Sequence, residues 1–373
     1  MMYALHAEMG LFNLVYRLVS TMSSSSIASC NCKYGFYCTL LISSFLLTQV
    51  NGFSSPMKYL ATLSNNVNED NVWAPERTAN TNRKRVSVLL CPAQFCVPAD
   101  YQELITNIQS HFTDSQSVEI GTCKVASLPR TEWIKVARSL PTKEYLDGTL
   151  VTRKTVSWYY EAMENAFCEI LAQEGDTNIC VIGHSIGGWI ARGYLGGLSY
   201  SSTAVYRKTQ RLISSFITLG TPHASPETAL VDQTRGLLRE VESTPTCSSK
   251  FLVEERGIQV TNVCSTSVKG SFLSTNVEEL VAAASYLPLL GFNAGFSVKG
   301  DGIIPHELGL MEKPANHVVI ERSASCGNLV RHASVVPTPW NLIDGYAPSI
   351  SLPKEFLWYG SKNVLPQWVD YIQ

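Results

Sequence analysis

Between Ile179 and Leu195 the chain passes without a linker from a β-branched apolar run into glycines and then into a helix-forming stretch. Ile179-Cys180-Val181-Ile182 has the composition of a buried strand. It stops at Gly183-His184-Ser185-Ile186-Gly187-Gly188, and Trp189 to Leu195 follows with helical character. A strand that turns directly into a helix commits the chain to a βα unit, and repeated βα units imply a parallel sheet. The turn is also a G-x-S-x-G pattern, which in this strand–helix context is a nucleophile elbow. Gly183 and Gly187 allow the backbones to approach closely, because a Cβ at either position would crowd the turn. The helix start behind Ser185 would offer free N–H groups and a positive dipole end to a developing oxyanion. The bare pattern should arise by chance about 0.1 times in a chain of this length. It is the flanking strand and helix that make it informative. The bland alternative is a glycine-rich turn carrying an inert serine.

The same alternation continues along the chain. Strands are predicted over Lys84 to Cys91, Val118 to Val125, Leu212 to Leu219, Ile258 to Cys264 and His317 to Glu321. Helical spacing marks Tyr101 to Phe112, a segment around Trp133 to Leu140, and Trp158 to Ala172. This is an α/β pattern with a mostly parallel sheet. Residues 224–257 and 265–299 are long inserts. The second carries an apolar stretch, Leu280 to Phe296, that together with 224–257 could form a lid over the site, or could serve as ordinary core.

Composition narrows the function classes. Hydrophobic residues are 45%, charged residues 16%, and the formal net charge is -2. That is an enzyme-like balance with no basic surplus for nucleic acid. The seven histidines are scattered, with no H-x-x-x-H and no paired C-x-x-C, which argues against a structural zinc site. Of the eleven cysteines, Cys30, Cys32 and Cys38 lie near the N-terminus and the other eight are dispersed, several inside apolar runs. They read as buried thiols rather than a disulfide framework.

Residues 1–60 read as a targeting extension rather than part of the fold. A signal-peptide-like segment spans about 33–52, with an apolar run from Tyr37 to Val50 and small residues after it. Val50-Asn51-Gly52-Phe53-Ser54-Ser55-Pro56 resembles the bipartite plastid presequences of algae with secondary plastids, and residues 53–65 contain no acidic residue. The expectation is plastid import along the secretory route, with secretion or an ER/endomembrane destination as the alternative. Residues 61–84 form a polar linker, and 85–373 the folded domain.

A serine hydroxyl needs a base to take its proton and an acid to orient that base. In a strand–elbow–helix architecture the chain order is serine, then acid, then histidine. Asp301, in Gly300-Asp301-Gly302-Ile303-Ile304-Pro305, can be delivered from a tight loop at a strand end, although Asp-Gly turns are common without catalytic roles. Four histidines follow Ser185. His223 comes too early for the base and would line the site or order its loop. His306 shares a loop with Asp301, and His317 starts a strand. His332 follows the last predicted strand by a short loop, where the base should arrive. His184 should point away from the site and pack. The oxyanion donors are expected to be the Ile186 N–H and, from Cys91-Pro92-Ala93-Gln94-Phe95, the Gln94 N–H with Phe95 as fallback. Phe95 is also a candidate for contact with substrate.

Gly-His-Ser-Ile-Gly-Gly-Trp-Ile-Ala-Arg, Leu-Gly-Thr-Pro-His, Gly-Asp-Gly-Ile-Ile-Pro, a late histidine and Trp358-Tyr359-Gly360-Ser361 occur in this order. The set resembles lipase-like α/β-hydrolases, in particular plant and algal members grouped with GPI inositol-deacylase-like proteins, over about residues 85–373. The resemblance implies an α/β-hydrolase fold with helices on both faces of the sheet. It implies Ser185, Asp301 and His332 as a catalytic triad. It implies a serine ester hydrolase acting on acyl lipids, or another ester, through an acyl-enzyme, with no metal or organic cofactor. An acyltransferase using the same triad is the alternative within enzymes, and an inactive hydrolase-fold binding protein the alternative outside them. The apolar insert would make transient contact with a membrane surface. Two departures stand out: Pro92-Ala93 replaces the His-Gly or Pro-Gly of many lipases, and Val335 to Pro353 is longer than the usual link from the histidine to Trp-Tyr-Gly-Ser.

Overall fold

The computed structural model describes residues 83–115, 117–199, 201, 203–226, 232–291, 297–337 and 345–373. The targeting extension, the linker up to residue 82, and residues 292–296 of the apolar insert lie outside the described residues.

Six strands form one parallel sheet: β1 (Lys84–Cys91), β2 (Val118–Val125), β3 (Asn178–His184), β4 (Ile213–Leu219), β5 (Gln259–Ser265) and β6 (Asn316–Ile320). Their order across the sheet is β2-β1-β3-β4-β5-β6, and every neighbouring pair is parallel. The central strands β1 and β3 read as near-continuous apolar runs because both faces are covered, whereas the edge strand β2 alternates and is only half-buried. Successive side chains point to opposite faces. Val86, Val88 and Leu90 of β1 join one buried cluster, with α1 (Gln102–Phe112) and the segment from Leu357 to Ile372. Leu89 and Cys91 join the other, with α2 (Ser157–Glu174) and α3 (Ile186–Leu195). α4 (Ala204–Leu212) leads into β4 on the α2–α3 face.

Three sequence-based expectations are corrected here. The helix after the elbow begins at Ile186 rather than Trp189, because Gly187 and Gly188 are pressed into its first turn. The segment around Trp133 is a 3₁₀ turn, Arg130–Trp133, followed by a single α turn, Ile134–Ala137. Its place is set by packing: Trp133 is buried edge-on to Trp158 and against Phe95, which overrides local propensity. Residues 224–257 form no surface flap in their described part. Leu237, Leu238 and Val241 of α5 (Leu237–Ser243), with Cys247 and Leu252, belong to the main core.

The second insert carries α6 (Val277–Leu290), whose Asn276 side chain caps its start by accepting from the Glu278 N–H. The helix is fixed to the rest of the fold. Tyr286 is buried, and its hydroxyl donates to the Val268 carbonyl and accepts from the Gly302 N–H. Glu278 makes a two-pronged ion pair with Arg331. On the outer side Phe272, Leu273 and Val277 are exposed, Leu273 at 84%.

The long stretch after His332 folds back as a ribbon, though its residues 338–344 lie outside the described ones. Val335–Val336 pairs antiparallel with Ile350–Ser351. Behind this ribbon, Arg130 is fully buried and donates to the Ala347 carbonyl and the Ser349 hydroxyl. Asp100 accepts from both the Ser349 N–H (2.7 Å) and its hydroxyl (2.8 Å). The buried charges are thus paired and hydrogen-bonded, as burial demands, and they clasp the ribbon onto the loop following β1.

Candidate active site

The carboxyl ends of β1, β3 and β4 line up, with Cys91 opposite Gly183 and His184 opposite Leu219. In an open α/β sheet this edge is where ligands are expected. At the end of β3, Ser185 adopts φ 54°, ψ -127°, a conformation a non-glycine residue holds only under constraint. Three bonds supply the constraint. The Ser185 N–H donates to the Leu219 carbonyl (2.9 Å), the Ser185 carbonyl accepts from the Thr221 hydroxyl (2.9 Å), and the Gly188 N–H closes the first turn onto Ser185 (3.0 Å). The glycines have a measurable reason. A Cβ on Gly183 would lie 2.3 Å from the Gly188 Cα, and one on Gly187 would lie 2.3 Å from the Cys91 carbonyl oxygen. The Ser185 hydroxyl is partly exposed and makes no hydrogen bond among the described residues.

Asp301 is buried and surrounded by donors. One carboxylate oxygen accepts from the Ile303 and Ile304 N–H groups, at 3.0 and 2.7 Å. The other accepts from the Tyr359 hydroxyl at 2.9 Å and lies 2.8 Å from His332 Nδ1. Burial alone would raise its pKa, but the His332 charge and hydrogen bond, with the two backbone donors, hold it below the usual aspartate value. The backbone adds a second link, from the His332 N–H to the Asp301 carbonyl at 3.0 Å. Val330–Arg331 pairs in parallel with Leu357–Trp358, so the strand before His332 and the strand before Tyr359 travel together.

Gly220 brings Asp301 and His332 to the elbow. It follows directly on Leu219, the residue bonded to the Ser185 N–H, and has φ +54°. A Cβ here would meet Asp301 Oδ2 at 2.6 Å and His332 Nδ1 at 3.0 Å. Ser185, Asp301 and His332 therefore converge on one edge of the sheet, around Leu219-Gly220-Thr221. His306 and His317 stand elsewhere: His306 Nδ1 is on the Lys299 carbonyl and His317 Nε2 on the Met311 carbonyl.

The loop after β1 faces the start of α3. Its Ala93 N–H is spent on the Tyr101 hydroxyl and its Cys96 N–H on the Ala93 carbonyl. The Gln94, Phe95 and Ile186 N–H groups have no partner among the described residues. Phe95 has φ 61°, a left-handed conformation that turns the loop back. Its ring is a correction: it packs in the main core against Trp133 instead of standing open to substrate.

Of the two roles expected for His223, the structure supports the ordering of its loop and not contact with substrate. His223 is 2% exposed, with Nε2 on the Thr218 hydroxyl (3.0 Å) and the Asn262 amide (3.2 Å). Its carbonyl accepts from Arg192 of α3, whose buried guanidinium also reaches the Cys247 carbonyl. His223 thus orders the Gly-Thr-Pro-His loop and does not line the site. His184 packs, as expected, but is hydrogen-bonded at both nitrogens, to the Tyr101 hydroxyl and the His332 carbonyl.

Burial lowers the pKa of His184 to about 3 and that of His223 well below its usual value. Both are neutral in the fold and would titrate near 6.5 when unfolded. Below that pH the unfolded chain binds more protons, so stability is full above about pH 6.5 and falls as pH drops. Calorimetric midpoints taken from about pH 7.5 down to about pH 5 should decrease accordingly. A level midpoint would contradict this assignment.

Residues 147–288, which include the elbow, α3 and most of α6, match the family model described as PGAP1-like alpha/beta domain. The fold is that of an α/β-hydrolase. No curated protein matches the chain. Among solved structures similar to this hydrolase fold, an acetyl xylan esterase is 19% identical, over 38% of this chain and 66% of its own, with a TM-score of 0.25. The chain thus spans about two thirds of that esterase's length. The esterase domain of a Rhodothermus marinus protein is 13% identical over 65% of this chain and 80% of its own, TM-score 0.26. Aspergillus fumigatus lipase B is 11% identical over 77% and 62%, TM-score 0.34. The described part of this hydrolase fold holds eight cysteines, Cys91 and Cys180 among them, all as free thiols.

Sequence reasoning missed Thr221, Tyr359 and the acid-loop contact of Tyr286. Tyr359 belongs to the Trp-Tyr-Gly-Ser motif, but its hydroxyl's destination, Asp301, is 58 positions away. Nothing local announces such a contact.

Proposed function

We propose that the protein is a serine ester hydrolase acting on acyl lipids. The observation that carries the proposal is the 2.8 Å Asp301–His332 contact, set against Gly220 beside an elbow serine with positive φ. In this reading His332 Nε2 takes the Ser185 hydroxyl proton as Oγ attacks the acyl carbonyl. Asp301 fixes the tautomer that leaves Nε2 free and stabilises the imidazolium. The Ile186 N–H and an N–H from Gln94-Phe95 receive the oxyanion, helped by the start of α3. The imidazolium then protonates the departing alcohol, leaving an acyl-serine. Water, deprotonated by the same histidine, releases the fatty acid and restores Ser185.

The acyl-lipid assignment draws support from Phe272, Leu273 and Val277. Phe272 and Leu273 lie in the turn before α6, and Val277 opens that helix beside Glu278, which is ion-paired to Arg331, the neighbour of His332. Exposed apolar side chains on a segment tied to the neighbour of His332 suit transient contact with a lipid surface.

A fluorophosphonate probe tests the enzyme class, and a panel of bilayer lipids read by mass spectrometry tests the substrate class. The wild-type protein should be labelled and should release free fatty acid. Absence of labelling in correctly folded protein would overturn the hydrolase reading. Labelling with hydrolysis of water-soluble short esters alone would overturn the lipid assignment.

A further inference from the structure

A buried line of hydrogen bonds runs behind the site, through residues that do not face it. The Ala93 N–H lies 2.7 Å from the Tyr101 hydroxyl oxygen, that oxygen lies 2.8 Å from His184 Nδ1, and His184 Nε2 lies 3.0 Å from the His332 carbonyl oxygen. Tyr101 and His184 are each 1% exposed.

The chemistry of the two ends fixes every proton between them. A backbone N–H can only donate, so the Tyr101 oxygen accepts from Ala93 and spends its own hydrogen elsewhere. A carbonyl can only accept, so His184 Nε2 must carry the hydrogen. In a neutral ring Nδ1 is then bare and accepts from Tyr101. All three bonds point the same way, from the loop after β1 toward the base, and bonds so aligned polarise one another. The neutral imidazole required by this arrangement agrees with the depth at which it is buried.

The placement follows from strand alternation. At the end of β3, Ser185 faces the site, and its neighbour His184 must face the opposite side. There it meets Tyr101 at the start of α1 and the backbone of His332. Trp358 closes the space, with its ring 5.2 Å from His184 and 6.0 Å from Tyr101.

We infer that Tyr101 and His184 are positioning residues that hold the oxyanion loop and the general base in register with the nucleophile. This deepens the hydrolase reading and rests on it. The dipeptide His184-Ser185 carries the attacking group on one side and the alignment of its two helpers on the other. A displacement of about 1 Å in either helper is enough to lower turnover by about 100-fold.

The test separates alignment from mere stability. Tyr101→Phe keeps the ring and its packing and removes only the hydroxyl. Turnover of a chromogenic short-chain ester and the rate of fluorophosphonate labelling should both drop by about tenfold or more, with KM changed less than about threefold. Circular dichroism should show the variant folded at the assay temperature. His184→Gln preserves a donor toward the His332 carbonyl, and His184→Leu does not. Gln should therefore retain several times the turnover of Leu at a comparable thermal midpoint. Adding Tyr101→Phe to His184→Leu should cost little more, because one line of bonds is already cut. If wild type is labelled and Tyr101→Phe matches it within about twofold, the positioning role is overturned while the hydrolase reading stands. The positioning role is likewise overturned if activity in each variant merely tracks its folded fraction. If folded wild type is not labelled at all, the hydrolase reading fails and the positioning role with it.

Discussion

Alanine at Ser185 is expected to abolish fluorophosphonate labelling and to lower ester turnover by about five to six orders of magnitude. In the proposed reaction the whole sequence of bond changes passes through this hydroxyl. The substitution is structurally mild. The Ser185 hydroxyl has no hydrogen bond among the described residues, so its removal strands no partner. The backbone bonds to Leu219, Thr221 and Gly188 that hold the strained turn do not involve it. The variant should keep its thermal midpoint and its circular dichroism spectrum. Turnover above a hundredth of wild type, measured on protein free of contaminating esterase, would place the chemistry on another residue.

Asparagine at Asp301 is expected to lower turnover by about 10⁴ with little change in KM. Four donors converge on this carboxylate: the Ile303 and Ile304 N–H groups on one oxygen, and Tyr359 and His332 on the other. An amide offers one acceptor atom and one donor group. If its oxygen serves Ile303 and Ile304, its NH₂ faces His332 and forces the hydrogen of the ring onto Nε2, which then cannot act as a base. If the amide is turned round, its NH₂ confronts two backbone N–H groups in a buried loop. The first arrangement disables catalysis with the fold intact, and the second destabilises the loop by about 1–3 kcal/mol. Steady-state kinetics together with a melting curve tells them apart. Near-normal kcat would remove Asp301 from the acid's role.

Much of this was legible in the residues. The strands were visible because a sheet covered on both faces needs near-continuous β-branched runs, and Val86 to Cys91 and Ile179 to Ile182 have few polar interruptions. The elbow was visible because its geometry admits only glycine at 183 and 187. Asp301 stood out between glycines, one of which, Gly300, has the Ile304 carbonyl 2.2 Å from where a Cβ would be. What stayed hidden depends on partners far apart in the chain. The ribbon of 345–351 is held by Asp100 and Arg130, more than two hundred positions away. The turns from Arg130 to Ala137 follow Trp133 into an aromatic cluster rather than any periodicity. His223 and Phe95 had the residue types of site-lining groups. Burial, which a pattern does not carry, put both of them beneath the surface.

The pairing of Leu357–Trp358 with Val330–Arg331, and the Tyr359 hydroxyl on Asp301, have a bearing on biosynthesis. Strands β1 to β5 and the nucleophile turn are all encoded before residue 266, and the chain can collapse around them while it is still being made. The acid's fourth donor and the strand that steadies the base arrive about a hundred residues later. Tyr359 is in turn held by Trp368, whose indole donates to its carbonyl at 2.8 Å. At about 5–20 residues per second of elongation, the partly made polypeptide would spend several seconds with Ser185 already in place and no competent partner for it. On the proposed hydrolase reading, activity would switch on at a late step of synthesis, when the segment around Tyr359 clears the ribosome and docks.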